Sequence, residues 1–333
     1  MKKVLSLILA LAMVFALVAC GEKQPSNDGN TDGDKPPRGN VIMTFGTADT
    51  GGSMYPAGAA VSQVWTNNVQ GVKCNTQTST GSFQNCQDVS TGEVDVAVAT
   101  SDVVLNAYNG TGKFADIGKL DNLRVIGAVY TSVLSGVALK SSGLTYIHDL
   151  LGKRVAVGPA ASATENATLA AFAAMDITKD NTSLENLGLG DGADSVGDGI
   201  LDAAFGFAGL PIGGQLNLAA TKEIQVLDMT QEEIDKVLAG NAAYIQTTIP
   251  AGTYTGQTET TNTFGVKCLI IVTADMDADL VYDLCKAMNE HTEELAAGNA
   301  LLKDMTDPSF LCTQMPIPLH DGAQKYYSEQ GLI

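Results

Sequence analysis

The sequence predicts an α/β fold in two lobes, each a mostly parallel sheet flanked by helices. Short β-rich apolar runs alternate with helical patterns from Val41 to the C-terminus, an alternation that calls for parallel sheets covered on both faces. A strand, a Gly- or Ser-rich turn and a capped helix form a unit that starts afresh near Lys153. The chain beyond Val41 is also long enough for two lobes and a substantial core.

Val41–Gly46 is a strand, followed by a glycine-rich turn and a helix with Pro56 in its first turn and Ala57, Val61 and Val64 on its apolar stripe. Val72–Thr80 alternates as a strand, and Ser82 is placed to cap the next helix. Glu93–Thr100 is a buried strand, with Ser101-Asp102 capping a third helix. Leu123–Tyr130 and Val133–Lys140 read as two strands leading to the second lobe. There Lys153–Gly158 is a strand, and Ser162 to Glu165 has capping-box spacing ahead of an Ala-rich helix. Ile200–Phe207, Ile224–Leu227 and Cys268–Val272 are further strands. Asp277–Ala297 is a helix whose stripe includes His291, read as a core-edge residue.

The N-terminus reads differently. Lys2 and Lys3 precede an apolar stretch, and the run Leu17-Val18-Ala19-Cys20 closes it. This is the layout of a secretory signal over residues 1–19, and a cysteine just past the cut resembles the bacterial lipobox, which implies a lipid anchor at Cys20. Residues 20–40 are polar and rich in Gly, Pro, Asn and Asp, a composition that cannot bury enough apolar surface to order itself. They read as a hydrated tether spanning about 25 Å. The expected location is therefore extracytoplasmic, on the outer face of the cell membrane.

Composition excludes several roles. The formal charge of −18 becomes about −20 once Lys2 and Lys3 are removed, which favours solubility and disfavours nucleic acid or anionic lipid as partners. Five cysteines follow Cys20, at 74, 86, 268, 285 and 312; the number is odd, and buried thiols are expected. The three histidines are scattered and no cysteine has metal-ligand spacing with them, so neither metal nor cofactor is expected. The glycine cluster at 46–52 lacks both the dinucleotide and the P-loop spacing, and no nucleophile elbow or Cys–His arrangement is present.

Four loops fall at the carboxyl ends of strands: 47–55, 79–85, 100–102 and 158–164. Each is rich in Gly, Ser and Thr and opens a helix. Ligands of open α/β sheets sit at such ends, and unpaired helix N-terminal amides favour anions. Converging, the four loops would form an anion cradle built of neutral groups.

The stretches TFGTADTGGSMYPAG (44–58), TQTSTGSFQN (76–85), GEVDVAVATSD (92–102), AYNGTG (107–112), GKRVAVGPAASATE (152–165), TIPAGTYTGQ (248–257) and PIPLHDGAQKYY (316–327) run in order along the chain. Together they resemble the TAXI family of TRAP-transporter solute-binding proteins. The resemblance implies a monomeric, non-enzymatic, two-lobed type II periplasmic binding protein fold with its ligand cleft at the hinge. It implies lobe I over 41–132 plus 244–333 and lobe II over 133–243. It further implies capture of a small carboxylate such as glutamate, glutamine or a related dicarboxylate, and delivery to a TRAP membrane permease. Carried over by motif, the ligand residues are Thr47, Thr50, Gly51, Gly52, Tyr55, Gly81, Ser82, Asn85, Ser101 and Asp102 from lobe I, and Ser162, Thr164, Ala208 and Gly209 from lobe II. The chain departs from the family at Thr100, where glutamine is usual, and at Ala160, Ala161 and Ala163 in the second-lobe loop.

Arginine sharpens the expectation. Only Arg38, Arg124 and Arg154 exist. Arg38 lies in the tether and Arg154 starts a strand, leaving Arg124 as the one candidate for a bidentate clamp. Main-chain amides and hydroxyls are expected to hold the carboxylates instead. Tyr55 reads equally as a wall for the ligand's carbon chain and as a helix-start staple. Two other readings stay open: a sensor subunit docking on a membrane signalling receptor, and a small-molecule hydrolase using His320, which reads more simply as a cap of the C-terminal helix.

Overall fold

The computed structural model describes residues 39–50 and 52–333. The leader over 1–19, the anchor at Cys20, nearly all of the tether and Gly51 lie outside the described residues.

One mixed sheet of ten strands organises the chain: β1 (Val41–Gly46), β2 (Val72–Gln77), β3 (Val96–Thr100), β4 (Leu123–Leu139), β5 (Arg154–Ala156), β6 (Ser183–Glu185), β7 (Ala203–Ala208), β8 (Ile224–Val226), β9 (Ile245–Ile249) and β10 (Thr261–Thr273). Its order is β2-β1-β3-β10-β4-β7-β5-β6, with β8 on β4 and β9 on β10. The α/β class matches the sequence reading. Parallel pairing is confined to two groups, β2-β1-β3 and β7-β5-β6. Between them, β4 and β10 run antiparallel to each other and to the flanking strands.

The two expected strands over 123–140 are one. Thr131 and Ser132 carry no turn; Ser132 is buried, and its hydroxyl lies 3.0 Å from the Cys268 thiol. The strand changes partner here, leaving β10 after Val133 and pairing β7 from Val133 on. Seventeen residues thus span both parallel groups.

The principal helices are α1 (Met54–Asn68), α2 (Ser82–Thr91), α3 (Ser101–Asn109), α4 (Ala163–Ala174), α5 (Leu189–Gly197), α6 (Gly213–Thr221), α7 (Gln231–Gly240), α8 (Ala278–Glu290), α9 (Thr292–Gly298), α10 (Pro308–Cys312) and α11 (Asp321–Glu329). The single helix expected over 277–297 breaks at His291, whose non-helical φ of −115° and ψ of 22° both end α8 and start α9. His291 stays at the edge, half-buried, with Nδ1 3.1 Å from Glu294.

Packing follows the apolar stripes. Trp65 of α1 is fully buried, stacks on Phe45 of β1 at 5.5 Å, and donates its indole N–H to Leu284 O of α8. Across the sheet path, Phe172 of α4 meets Phe205 of β7 edge-on at 5.4 Å. All five described cysteines are free and buried, as expected. Burial raises their thiols, Cys74 and Cys268 to about 11. Among the described residues no helix is long and apolar enough to cross a membrane.

Candidate functional site

A cavity of about 560 Å³ opens where four strand-to-helix turns meet. Its walls are Ala48, Asp49 and Gly52–Met54 after β1, Ser79–Ser82 after β2, Pro159, Ala160 and Ser162–Thr164 after β5 and Gly188–Asp191 after β6; Tyr130, Phe207 and Ala208 form its floor.

The turns leave helix amides open. At α2 the N-cap is Gly81, one residue ahead of the expected Ser82; its φ of 111° suits only glycine, and it has no side chain to cap the helix. The N–H groups of the first turn therefore face outward unfilled. The N-cap of α5 is Gly188, again without a side-chain cap, and Ser53 caps α1 without a side-chain bond. Only α4 is capped: Ser162 Oγ accepts from Glu165 N at 3.1 Å. The second arm of the expected capping box is displaced, because the Glu165 carboxylate accepts from Ala161 N at 2.8 Å rather than from Ser162 N. Ala163 and Thr164 keep free amides at this helix start. Gly158 sets the approach: its φ is 94°, and a Cβ there would lie 2.5 Å from Thr164 Cγ2. Four helix N-termini, each of a helix of nine residues or more, thus converge on one space.

The hydroxyls are committed elsewhere. Ser82 is fully buried, and its Oγ accepts from Thr100 N at 3.1 Å. Ser162 Oγ also donates to Pro159 O at 2.6 Å, and Thr164 Oγ1 accepts from Phe207 N at 3.2 Å. These side chains build the walls, each bonded within them. No Lys, Arg or His lines the cavity among the described residues, whereas Asp49 and Asp191 are among its lining residues. Arg124 donates to the carbonyls of Asp121 and Leu123 at 2.9 and 2.8 Å at the start of β4 and is not a lining residue.

Of the residues singled out from sequence, Gly52, Gly81, Ser82, Ser162, Thr164 and Ala208 line the cavity. Gly209 borders it, its carbonyl accepting from Ser53 Oγ at 3.4 Å. Thr47 and Asn85 stand behind it: Thr47 Oγ1 donates to Gln77 O at 2.7 Å, and Asn85 Nδ2 donates to Thr47 O at 2.6 Å and Val98 O at 2.7 Å. Thr50 is exposed, and neither it nor Tyr55 lines the cavity. The loop at 100–102 is not part of it. Thr100, not Ser101, caps α3. Ser101 lines a separate cavity of about 450 Å³ with Leu105, Lys267 and Met315.

Asp102 is fully buried. Its Oδ2 accepts from Asn166 Nδ2 at 2.7 Å and Tyr244 OH at 3.2 Å, while Oδ1 has no partner. Burial drives its pKa up despite these bonds. Glu165, beside Asn166, behaves oppositely. Burial works to raise it, but hydrogen bonds from Lys113, Ala161 N–H and Asn186 outweigh that and hold it below the usual carboxylate range.

Sequence reasoning missed Ser53, Tyr130, Phe207 and the whole turn 188–191. The run Leu187-Gly188-Leu189-Gly190-Asp191-Gly192 repeats the strand–glycine–helix device and was the available signal. His320 is the expected cap: it is buried, its Nδ1 accepts from Gly322 N at 3.1 Å, and burial lowers its pKa.

The model of the NMT1-like family matches residues 45–331. Among solved structures, a protein from Bordetella bronchiseptica RB50 is 12% identical, with 87% of this chain and 98% of that chain covered and a TM-score of 0.51. The alkanesulfonate-binding protein SsuA from Xanthomonas axonopodis pv. citri, bound to MOPS, is 13% identical over 88% and 85% of the two chains, with a TM-score of 0.46. An amino acid ABC transporter substrate-binding protein, AbpA from Streptococcus pneumoniae Canada MDR_19A, bound to L-arginine, is 14% identical over 80% and 94%, with a TM-score of 0.47.

Proposed function

This chain belongs to the NMT1-like family, and from that premise we propose that it is the solute-binding subunit of a membrane transporter, closing around a small carboxylate. The observation that carries this reading is the convergence of four helix N-termini on one cavity whose lining holds no basic side chain among the described residues. Such a site takes an anion through oriented amides and helix dipoles. A charge-assisted hydrogen bond contributes about 1.5–3 kcal/mol, and micromolar affinity needs about −8 kcal/mol, so a few amides suffice. Tyr130 and Phe207 on the floor supply apolar contact for a carbon chain.

The two parallel groups of the sheet are the two lobes of this reading, with 41–132 plus 244–333 on one side and 133–243 on the other. The strands β4 and β10 join them. The motifs that resemble the TAXI family support a TRAP permease as the partner and glutamate, glutamine or a related dicarboxylate as the solute. A lipid anchor at Cys20 would hold the protein at the membrane's outer face.

A thermal-shift panel of amino acids, dicarboxylates and sulfonates tests the reading. A true ligand at a hundred times its Kd adds about 2.7 kcal/mol of stability. A panel in which no anion raises the melting temperature removes it.

A further inference from the structure

Two consecutive residues of the first turn of α4 are gripped by α3 and by the segment that follows it. Glu165 forms an ion pair with Lys113, which follows the end of α3. Asn166 donates to Asp102 in the first turn of α3 at 2.7 Å, and Tyr244 OH reaches the same oxygen at 3.2 Å. α3 and α4 are thus tied at two points, 102 to 166 and 113 to 165. The same α4 turn presents the free Ala163 and Thr164 amides to the cavity, and Glu165 also accepts from Ala161 N in the adjoining loop at 2.8 Å.

The two ties differ in kind. The Lys113 side chain is 39% exposed and that of Glu165 only 15%, so this tie is only partly screened by solvent. Asp102 is sealed, with one carboxylate oxygen lacking any partner. A carboxylate buried with an unmet oxygen is poorly served as part of a static core. Of its bonds, the one from Asn166 crosses between the two sides, so that bond is kept only while they stay together.

We propose that Lys113 and Asp102 are positioning residues: from outside the cavity they set the amide end of α4 over it, without touching the ligand. The inference rests on the reading of the cavity as a binding cleft.

Hydrogen exchange on the full folded protein, together with L-glutamate dissociation rates, tests it. Lys113→Met should speed exchange in residues 158–167 by at least about twofold to fivefold, the range of an exposed pair being the lower bound for one whose acid is mostly buried. Lys113→Arg should restore the wild-type rate. Asn166→Ala should speed exchange in residues 101–106 in the reciprocal direction. Glutamate should leave the Lys113→Met protein faster by the same factor with its association rate unchanged. Unchanged exchange in residues 158–167 of Lys113→Met, or a failure of Lys113→Arg to restore it, overturns the proposal. If wild-type protein does not bind glutamate, the assignment of the solute fails and the exchange arm alone decides the brace. If glutamate binds and neither exchange nor dissociation responds, the brace fails and the binding reading stands.

Discussion

The turns after β2 and β3 are built alike and serve different ends. Each closes a strand, places a serine at the first position of a helix and leaves the helix without a side-chain cap. After β2, the strand lies at the rim of the sheet, and the turn opens its amides into the cavity. After β3, the strand is flanked by β1 and β10; its turn faces a different cavity and spends its acid on a tie to α4. Local chemistry sets what a turn can offer, and the strand's place in the sheet sets what it meets.

The sharpest way to break this comparison is at Gly158, where the second parallel group makes its own open turn. Gly158→Ala forces an L-residue into φ 94° and into Thr164. It should cost about 3 kcal/mol in urea denaturation and weaken ligand binding with it. Near-neutral stability would show that the loop relaxes and that its geometry is not what orients α4.

The two serines come next. Ser82→Ala strands the buried Thr100 N–H that Ser82 now satisfies and should cost about 1–2 kcal/mol. Ser101→Ala should stay within about 0.5 kcal/mol. Equal effects in thermal denaturation would erase the distinction between the turns.

Asp102 sharpens the comparison through pH. Its folded-state pKa is raised above the ordinary value of 3.8. Between that value and the raised one the folded protein holds the extra proton, so stability falls as pH climbs through this window. Asp102→Asn should flatten that decline and leave the variant less sensitive than wild type above pH 4, read as melting temperature against pH. A parallel profile would mean that the carboxylate titrates normally.

Much of this was legible in the sequence. The alternation of strands and helices stood out because β1, β3 and β7 are short apolar runs closed by Gly, Ser or Thr. Six of the proposed ligand residues reached the cavity because strand-to-helix turns share one end of a parallel group. Legibility failed where partners are remote. Asp102 meets Asn166 and Tyr244 at separations of 64 and 142 residues, and no local pattern announces that. α5 was hidden by composition: glycines at 188, 190, 192 and 197 argue against a helix. Tertiary packing decides otherwise, since a Cβ on Gly192 would lie 3.0 Å from that of Ala156. The joining of two strands into β4 escaped because Thr131-Ser132 looks polar enough to turn, yet Ser132 finds its partner in Cys268 on the neighbouring strand.

The five thiols shut inside the described residues make maturation independent of any oxidant. No disulfide among them has to form before the chain is native, and their raised pKa values keep the reactive thiolate scarce. The cysteine sulfurs of the folded body are therefore poor targets for peroxide.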